Sequence, residues 1–495
     1  MAELVRFRNF IGGETCASAT DRWLTSINPY TGAAWAEVPQ CGAADAEAAI
    51  DAAHTAFTGG PWARITATAR GKVLRRFADL IARDAEKLAA IEVRDNGKLL
   101  AEMSGQVRYI PEWFHYFGGL ADKIEGGVLP SDKPEMFVYT RREPLGVVVA
   151  ITPWNSPLLL LTWKLAPALA AGNTIVIKPS EFTSCSTLAL MELVKEAGFP
   201  EGVINTVTGY GSEIGSTLVE HPKVAKVAFT GSDATGAAVY AAAAKGIKHV
   251  TLELGGKSPN IIFADANLGD AVKGAISGIF AASGQTCIAG SRLLVQSSVY
   301  EEVCAQVVAF AKAAKLGDPM ESTTQVGPIT TLPQRSKVLS YIDIAKSEGA
   351  RCLLGGKTPS APDLAQGWFV EPTIFGDVSN DMRIAREEVF GPVLAIIPFE
   401  DDNHAVDIAN DTIYGLAAGV WTSNIRRAIT MAERIRAGTV WINTYRAVSF
   451  LAPFGGYKKS GIGRESGQAA IDEYLQTKCV WINLAEGVPN PFVLR

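Results

Sequence analysis

Short apolar runs alternate with longer stretches of helical spacing along most of the chain, and this alternation constrains the fold more than any other feature. The first series of runs covers 146–152, 173–177, 202–206 and 226–230, and each run is followed by a stretch compatible with a helix. Strands that alternate with helices form parallel β-α-β units, in which helices cover the faces of a buried sheet. The sequence therefore predicts an α/β fold.

A second series of apolar runs predicts a second α/β unit. The runs of this series cover 260–263, 291–295, 394–399, 419–421 and 438–442, with helical stretches at 299–315 and 425–436. Paired glycines, Gly255 and Gly256, interrupt the pattern between the two series and predict the domain boundary there. Spacing from Ala43 to about Asn96 predicts amphipathic surface helices, and β-rich pieces at 140–142 and 478–483 predict a small arm.

Composition excludes several classes of protein. A chain of 495 residues has room for roughly two to four domains. Its 46 Lys and Arg against 51 Asp and Glu give a net charge of −5, without the basic footprint that nucleic-acid binding requires. The most apolar stretch, 145–172, is interrupted by Pro153, Asn155 and Lys164, so no membrane span is predicted. No secretory signal is recognisable, and the expected compartment is the cytoplasm.

Cysteine usage points to reduced thiols. Seven cysteines stand at irregular spacings with no C-x-x-C pair, which argues against a disulfide framework and against a zinc knuckle. Five scattered histidines add no ligand pattern, so no metal site is predicted.

One cysteine has a context that suggests chemistry. Cys287 lies among small residues at the end of an apolar helical stretch, where backbone amides can stabilise a thiolate or an oxyanion. Glu253 ends a strand-like run beside the paired glycines, and partial desolvation there suits a general base. Asn155 stands between two prolines and offers a neutral amide donor for an oxyanion. The alternatives are a buried structural cysteine, a solvated surface glutamate and an asparagine that satisfies turn backbone.

Other motifs suit a nucleotide cofactor. Lys178 and Glu181 follow the end of a buried strand, where a carboxylate can accept both hydroxyls of an adenosine ribose and repel a 2′-phosphate. Gly231 and Ser232 join a strand to an Ala-rich helix, whose N-terminal amides suit a pyrophosphate. The glycine pattern at 209–215 has an extra residue and is interpreted as a loop that lines the cofactor. A solvated Lys-Glu pair is the alternative for the first motif.

Glu388 and Phe390, stopped by Gly-Pro, are candidates to hold a nicotinamide ribose and its ring, with a capped surface turn as the alternative. Together and in this order, the motifs resemble the NAD(P)-dependent aldehyde dehydrogenase superfamily over nearly the whole chain. The motifs that carry the resemblance are Pro153-Trp-Asn155, Lys178-Pro-Ser-Glu181, Phe229-Thr-Gly-Ser232, Leu252-Glu-Leu-Gly-Gly-Lys257, Gly284-Gln-Thr-Cys287, Glu388-Val-Phe-Gly-Pro392 and Pro453-Phe-Gly-Gly-Tyr-Lys458.

The resemblance implies three structural parts. They are a Rossmann-like NAD-binding domain of 1–121 and 144–253, a catalytic domain of 254–459 and a β oligomerisation arm of 122–143 and 474–495. Members of the superfamily usually assemble as dimers or tetramers, so a homodimer or homotetramer is expected. The implied cofactor is NAD, with NADP less favoured. The implied cofactor-binding residues are Thr152, Pro153, Trp154, Lys178, Ser180, Glu181, Gly211, Ser212, Gly231, Ser232, Leu254, Glu388 and Phe390.

The resemblance also implies catalytic roles. Cys287 attacks the aldehyde, Asn155 and the Cys287 amide hold the oxyanion, and Glu253 activates water to hydrolyse the thioester. Glu465 matches a position linked to proton movement. Relatives that transfer the acyl group to coenzyme A generally lack the base, so an acid-forming reaction is favoured over a coenzyme A-acylating one. An idle NAD-binding protein and a thiol hydrolase are the remaining alternatives. Ile329 departs from the family, since many relatives have a glutamine there that contacts the adenine side.

Substrate selection is assigned to a tunnel that is mostly apolar. By position, its residues are Ser156, Leu159, Trp163, Thr286, Ile288, Val448 and Phe454. The small Ser156 stands where an aromatic residue is common, so we expect a wide apolar funnel for medium or bulky aliphatic or aromatic aldehydes. Arg446 is interpreted as a solvated or interface-paired rim residue, and the alternative is that it binds the carboxylate of a semialdehyde.

Overall fold

A computed structural model describes residues 4–488 and 490–492 of the chain. The strands are β1 (Val5–Arg6), β2 (Asn9–Ile11), β3 (Glu14–Cys16), β4 (Trp23–Asn28), β5 (Ala33–Pro39), β6 (Val128–Leu129), β7 (Met136–Pro144), β8 (Val147–Ile151), β9 (Thr174–Lys178), β10 (Ile204–Thr206), β11 (Val224–Thr230), β12 (His249–Glu253), β13 (Pro259–Ile262), β14 (Arg292–Gln296), β15 (Arg351–Leu354), β16 (Thr373–Gly376), β17 (Val393–Phe399), β18 (Ala417–Trp421), β19 (Thr439–Ile442), β20 (Gly461–Ile462) and β21 (Leu475–Asn483). The α-helices are α1 (Ala43–Thr58), α2 (Ala67–Arg83), α3 (Ala85–Asn96), α4 (Leu100–Leu120), α5 (Pro157–Ala171), α6 (Cys185–Ala197), α7 (Gly211–Glu220), α8 (Asp233–Ala244), α9 (Leu268–Phe280), α10 (Tyr300–Lys312), α11 (Leu332–Ser347), α12 (Arg383–Arg386), α13 (Asp402–Asn410) and α14 (Ile425–Arg434).

The first α/β unit is built on an eight-stranded sheet of order β20-β12-β11-β8-β9-β10-β2-β3. Its five middle strands are parallel, and the predicted apolar runs form four of them with ends shifted by one or two residues. The crossover after β8 shows how the chain achieves this. Helix α5 begins with Pro157, whose fixed φ suits a first turn, and it stops at Gly172, whose φ of +98° turns the chain into β9.

The second unit is a seven-stranded sheet of order β15-β16-β17-β14-β13-β18-β19, parallel except for the β15–β16 pair. The paired glycines lie in the connection between β12 of the first sheet and β13 of the second. The α/β fold class expected from the sequence is therefore confirmed, and the two large sheets follow each other along most of the chain.

Strand β20 crosses between the units. Its residues come after all strands of the second sheet, yet Gly461 and Ile462 pair antiparallel with Glu253 and Leu252 at the edge of the first sheet. The predicted cofactor domain of 1–121 and 144–253 does not contain this strand. A two-residue strand carries no apolar periodicity, so nothing in its sequence marks it.

A third sheet forms the arm. Strands β7 and β21 pair antiparallel over nine residues each, and β6 adds to the other edge of β7. The pieces predicted at 140–142 and 478–483 lie within this sheet. Residue 489 and residues 493–495 of the predicted arm lie outside the described residues. A further three-stranded sheet, β1-β5-β4, was not predicted from the sequence.

Within the described ranges 4–488 and 490–492, no helix has both the length and the apolar character needed to cross a bilayer.

Candidate active site

The candidate nucleophile lies in a tightly reversed loop between α9 and β14. Three successive residues before it, Ala282, Ser283 and Gly284, have φ values of +53°, +51° and +70°. Left-handed backbone is costly for residues other than glycine, and such strain concentrates at functional sites. At Gly284 a side chain has no room, because a Cβ would lie 2.1 Å from the carbonyl oxygen of Gly391. The loop therefore presents Cys287 from a rigid reversal.

Asn155 joins this loop from the first sheet. It follows β8, is buried, and donates a hydrogen bond from Nδ2 to the carbonyl oxygen of Gln285 at 3.0 Å. An amide has two N–H groups, and this contact uses one of them. The structure thus brings Asn155 to the Cys287 loop, as the sequence led us to expect.

The Cys287 thiol is half-buried, and its environment disfavours the thiolate. Burial raises its pKa to about 12, helped by the nearby carboxylates of Glu253 and Glu388. The backbone amides of Cys287 and Ile288 act in the opposite direction. In the free protein the thiol keeps its proton, so attack on a substrate requires a base or an added positive charge.

Glu253 has the properties of such a base. It ends β12, is only 4% exposed, and both of its carboxyl oxygens lack a hydrogen-bond partner among the described residues. Burial raises its pKa well above the usual value, and the charge of Glu465 adds to the rise. A carboxyl with a raised pKa and unused lone pairs is a strong proton acceptor once ionised.

Glu465 is itself held by a buried ion pair. Lys164, which is fully buried on α5, contacts one oxygen of Glu465, and the other oxygen has no partner within the described part of the chain. Glu465 also exchanges two backbone hydrogen bonds with Phe454, at 2.6 and 2.7 Å. The pair fixes a second buried carboxylate beside Glu253.

Two adjoining cavities open at the carboxyl ends of the first sheet. The larger has a volume of about 650 Å³, and the smaller, of about 130 Å³, reaches Cys287 and Asn155. All thirteen residues predicted to bind the cofactor line one or both. Ten of the thirteen line the larger cavity: Thr152, Pro153, Trp154, Lys178, Ser180, Glu181, Gly211, Ser212, Gly231 and Ser232. The other three, Leu254, Glu388 and Phe390, line the smaller cavity. Four of the thirteen, Pro153, Trp154, Gly231 and Ser232, line both.

The larger cavity has the polar character that a dinucleotide needs. Lys178 Nζ lies 3.5 Å from Glu181 Oε2 at the end of β9. Helices α7 and α8 begin at the cavity, and the Ser232 hydroxyl caps α8 by accepting from the Thr235 amide at 3.2 Å. Two buried hydroxyls in its lining, those of Thr152 and Thr230, have no hydrogen-bond partner among the described residues. Unused donors of this kind fit a phosphate-bearing ligand.

At the smaller cavity, Glu388 accepts a hydrogen bond from the Gly256 amide at 2.9 Å. Burial raises the pKa of this carboxyl to about 7. Phe390 has a φ of +57° and packs edge-on against Trp154, with ring centroids 5.2 Å apart. The two residues therefore flank the approach to Cys287 from the larger cavity.

Sequence reasoning missed three residues of the smaller cavity, Leu160, Gln334 and Lys337, and it quoted Thr230 and Gly255 within motifs without assigning them to the site. Gln334 and Lys337 lie on α11 of the second unit, where a polar residue on an exposed helix face carries no signal. Ile329 is fully buried in the core of the second sheet, and neither cavity contains it among its lining residues.

Most of the predicted tunnel residues belong to, or pack against, the same apolar core cluster as Cys287. Trp163 and Phe454 pack with ring centroids 4.9 Å apart, and both belong, with Ile288, to the core cluster against which Cys287 packs. Leu159 and Val448 pack against the same cluster, and Thr286 is half-buried immediately before the cysteine. These residues form a largely apolar wall.

Two polar contacts bear on the sequence expectations. Ser156 is buried and accepts a hydrogen bond from Lys98 Nζ at 2.9 Å, so a buried cation adjoins this predicted tunnel residue. Arg446 is half-buried and donates from Nη1 to the Ser277 carbonyl oxygen at 3.1 Å, and its pairing across a subunit interface stays a prediction. Lys98 escaped notice because it lies far from every motif in the sequence.

Throughout the described residues, no group of three or more His, Cys, Asp or Glu side chains is arranged to hold a metal ion. A nucleotide-sized cavity at the carboxyl ends of a parallel sheet, opening beside a cysteine, an amide donor and a buried carboxylate, is the arrangement of an oxidoreductase with covalent catalysis. The fold and the site therefore define the protein as an oxidoreductase of this class.

Comparison with known proteins gives the family. Residues 16–480 match the aldehyde dehydrogenase family. The chain is 44% identical to betaine aldehyde dehydrogenase of Bacillus subtilis, over 98% of this chain and 99% of the relative, and 44% identical to retinaldehyde dehydrogenase 3 of Homo sapiens, over 97% and 93%. A crystal structure of betaine aldehyde dehydrogenase from Staphylococcus aureus in complex with NAD+ matches with a TM-score of 0.97 and 43% identity, over 98% of this chain and 97% of that one.

The chain belongs to the aldehyde dehydrogenase family and is an oxidoreductase that acts on aldehydes. The resemblance stated from the motifs is thereby confirmed. The relatives' names differ in substrate at equal identity, so identity alone does not define which aldehyde this chain takes.

Proposed function

We propose that this protein oxidises an aldehyde to the carboxylic acid with NAD, through a thiohemiacetal and a thioester on Cys287. One observation carries the proposal. Cys287 lines the smaller cavity together with Asn155 and Glu388, and it packs against the core cluster that includes Trp163 and Phe454. A cysteine at this position would meet a nucleotide in the cavity and an aldehyde at the apolar cluster, which is the requirement for covalent hydride-transfer chemistry.

NAD fits the larger cavity. The helix N-termini of α7 and α8 and the unused hydroxyls suit the pyrophosphate, and Glu181 suits the adenosine ribose. A carboxylate at Glu181 repels a 2′-phosphate, so NADP is the weaker cofactor. When bound, NAD accepts the hydride that the thiohemiacetal carbon gives up.

The first half of the reaction uses Cys287 and Asn155. The Cys287 sulfur forms a bond to the aldehyde carbon as Glu253 takes the thiol proton, and the carbonyl oxygen becomes an oxyanion. The Asn155 amide and the Cys287 backbone N–H hold that oxyanion. Loss of hydride from the carbon then leaves a thioester on Cys287.

The second half uses Glu253 as the base for hydrolysis. The thiol proton that Glu253 took first leaves it through Glu465, which Lys164 holds. The regenerated carboxylate then removes a proton from water, the hydroxide attacks the thioester carbon, and the carbon–sulfur bond breaks to release the acid and the Cys287 thiolate. The buried, unpaired carboxylate of Glu253 favours this acid-forming route over transfer to coenzyme A.

The arm supports a proposal about assembly. Strand β21 lies at the outer edge of the arm sheet, where no strand of the described residues pairs with it, and its Trp481 and Ile482 are 54% and 42% exposed. Exposed edge strands with large apolar side chains favour pairing with another chain. A homodimer or homotetramer that assembles through the arm would pair this sheet edge and bury these apolar side chains.

The test is NADH formation by the purified protein with NAD or NADP, given hexanal, benzaldehyde or succinic semialdehyde, with and without coenzyme A. We expect NADH with NAD, a free carboxylic acid in the absence of coenzyme A, and loss of activity after thiol alkylation. Alkylation also reaches the exposed Cys352 and Cys479, so a C352S/C479S variant serves as the matched control and remains sensitive. NADH formation that survives complete alkylation of Cys287 contradicts the proposal.

A further inference from the structure

Glu102 connects helix α4 to the loop that presents Cys287. It lies in the first turn of α4 and is half-buried, and its Oε1 accepts a hydrogen bond from the Ala282 amide at 2.7 Å. The two residues stand 180 positions apart in the chain. A carboxylate in a first helical turn is favoured by the helix dipole alone, so its position there shows no function. The long-range hydrogen bond gives this carboxylate a second and specific partner.

The amide that Glu102 binds belongs to strained backbone. Ala282 and Ser283 have φ values of +53° and +51°, and residues with a side chain keep such values only where their surroundings hold them. The Ser283 hydroxyl donates to the Gly327 carbonyl oxygen at 2.8 Å, which anchors the loop to the second unit. Glu102 supplies a separate anchor from α4, one residue earlier in the loop.

This loop determines where the reacting groups lie. The Gln285 carbonyl oxygen accepts a hydrogen bond from Asn155 Nδ2 at 3.0 Å, and Cys287 follows two residues later. A shift of the backbone at Ala282 therefore displaces the thiol, the Cys287 N–H and the contact with Asn155 together. Misplacement of reacting groups by about 1 Å lowers a rate by up to about 10²-fold.

The other carboxyl oxygen of Glu102, Oε2, is buried and has no hydrogen-bond partner among the described residues. A buried polar atom without a partner is unfavourable, so the stability of α4 does not explain this placement. We propose that Glu102 is a positioning residue for the reaction, which holds the strained loop through the Ala282 amide and so fixes Cys287 relative to Asn155. The inference rests on the proposed aldehyde oxidation.

Hydrogen exchange of the loop tests the anchor without a substrate. Glu102→Met keeps the length of the side chain but removes the acceptor, and we expect the backbone amides of 282–287 to exchange about tenfold faster or more. Glu102→Gln keeps an acceptor oxygen of the same reach, so exchange stays within about threefold of the unmodified protein. Glu112→Met changes an exposed glutamate on the same helix and is the matched control, with unchanged exchange. Mass spectrometry of peptic peptides measures these rates.

Stopped-flow absorbance with NAD and hexanal tests the consequence for the reaction. In Glu102→Met the rate of the first turnover of NADH falls by about tenfold or more, while the KM for NAD stays unchanged because the cofactor cavities are intact. Glu102→Gln keeps most of the rate, and Glu112→Met keeps all of it. Glu102→Asp retains a carboxylate but is one methylene shorter, and it shows the same loss, so the test stands even if Glu102→Met fails to fold.

Two results would overturn the positioning role while the proposed oxidation stands. One is a loop exchange rate or a first-turnover rate in Glu102→Met and Glu102→Asp equal to that of the unmodified protein. The other is an equal loss in Glu102→Met and Glu102→Gln, which would assign the effect to charge at the helix end and not to the hydrogen bond. Absence of NADH from the unmodified protein contradicts the proposed oxidation, and this inference falls with it.

Discussion

The two sides of Cys287 are built in different ways. The cofactor side consists of short segments that directly follow parallel strands, such as Thr152 after β8 and Lys178 at the end of β9. The predicted substrate tunnel combines Trp163 of α5 with Phe454, which follows β19 in the chain, and Lys98 from the connection between α3 and α4 donates to its Ser156. One side comes from local chain geometry and the other from long-range packing.

This difference teaches how one fold serves many substrates. The cofactor side depends on strand ends, helix N-termini and small residues, which the fold itself supplies. The predicted substrate tunnel depends on side chains from helices and loops, whose identity changes without moving a strand. Relatives named for betaine aldehyde and for retinaldehyde are equally similar to this chain, at 44% identity.

Cys287→Ala has the largest expected effect, because this residue joins the two sides. We expect NADH formation to fall by about a thousandfold or more, since covalent attack is lost. NAD affinity, measured by titration calorimetry, remains near that of the unmodified protein because the cofactor side is intact. Cys352→Ala, at an exposed cysteine, is the control and keeps full activity. A Cys287→Ala variant with an unchanged rate refutes the nucleophile assignment.

Glu253→Gln separates hydride transfer from hydrolysis. Loss of a general base slows the hydrolytic step by about 10² to 10⁴-fold, while a first turnover of NADH still appears as a burst. The raised pKa of Glu253 also predicts pH dependence. Below that pKa the carboxyl is protonated and accepts no proton, so in the unmodified protein the hydrolysis rate rises with pH, and the variant loses this rise. Stopped-flow absorbance resolves both phases, and a variant without a burst argues against the assigned step.

Lys164→Met tests how much the buried ion pair between Lys164 and Glu465 stabilises the protein. Glu465 then remains buried without its cation, and the free energy of unfolding falls by about 3–5 kcal/mol. Urea denaturation measures this loss, and adding Glu465→Gln restores most of it. Breaking an exposed pair with Lys87→Met costs less than about 1 kcal/mol, which makes it the control. Equal losses for the two lysine variants contradict a special role for the buried pair.

Glu181→Gln has the smallest expected effect and is confined to the cofactor side. Removing the charge that opposes a 2′-phosphate raises kcat/KM for NADP relative to NAD by about tenfold. The KM for the aldehyde stays unchanged, because Glu181 lies in the larger cavity and not at the wall. Glu213→Gln, a partly exposed carboxylate on α7, leaves the NADP to NAD ratio as it is. A changed KM for the aldehyde in Glu181→Gln would contradict the prediction that Glu181 acts only on the cofactor.

How well the sequence predicted each region depends on whether local chain geometry or long-range packing builds it. Apolar runs predicted four strands of the first large sheet and five of the second, and the family resemblance implied thirteen residues that line the two cavities. Strand β20 and the N-terminal sheet were missed, because short strands of mixed composition have no periodic signal. Lys98 was missed for a related reason, since a single lysine between two helices looks like a surface residue.

By itself the sequence determined the α/β class, the family and the positions of Cys287, Glu253 and Asn155, because each depends on local pattern or on a contiguous motif. Only the tertiary structure decided which charges meet. It set Lys164 against Glu465, and Lys98 against Ser156, across 301 and 58 residues of chain. The physical reason is that burial and charge pairing depend on distances in space, which no spacing along the chain encodes.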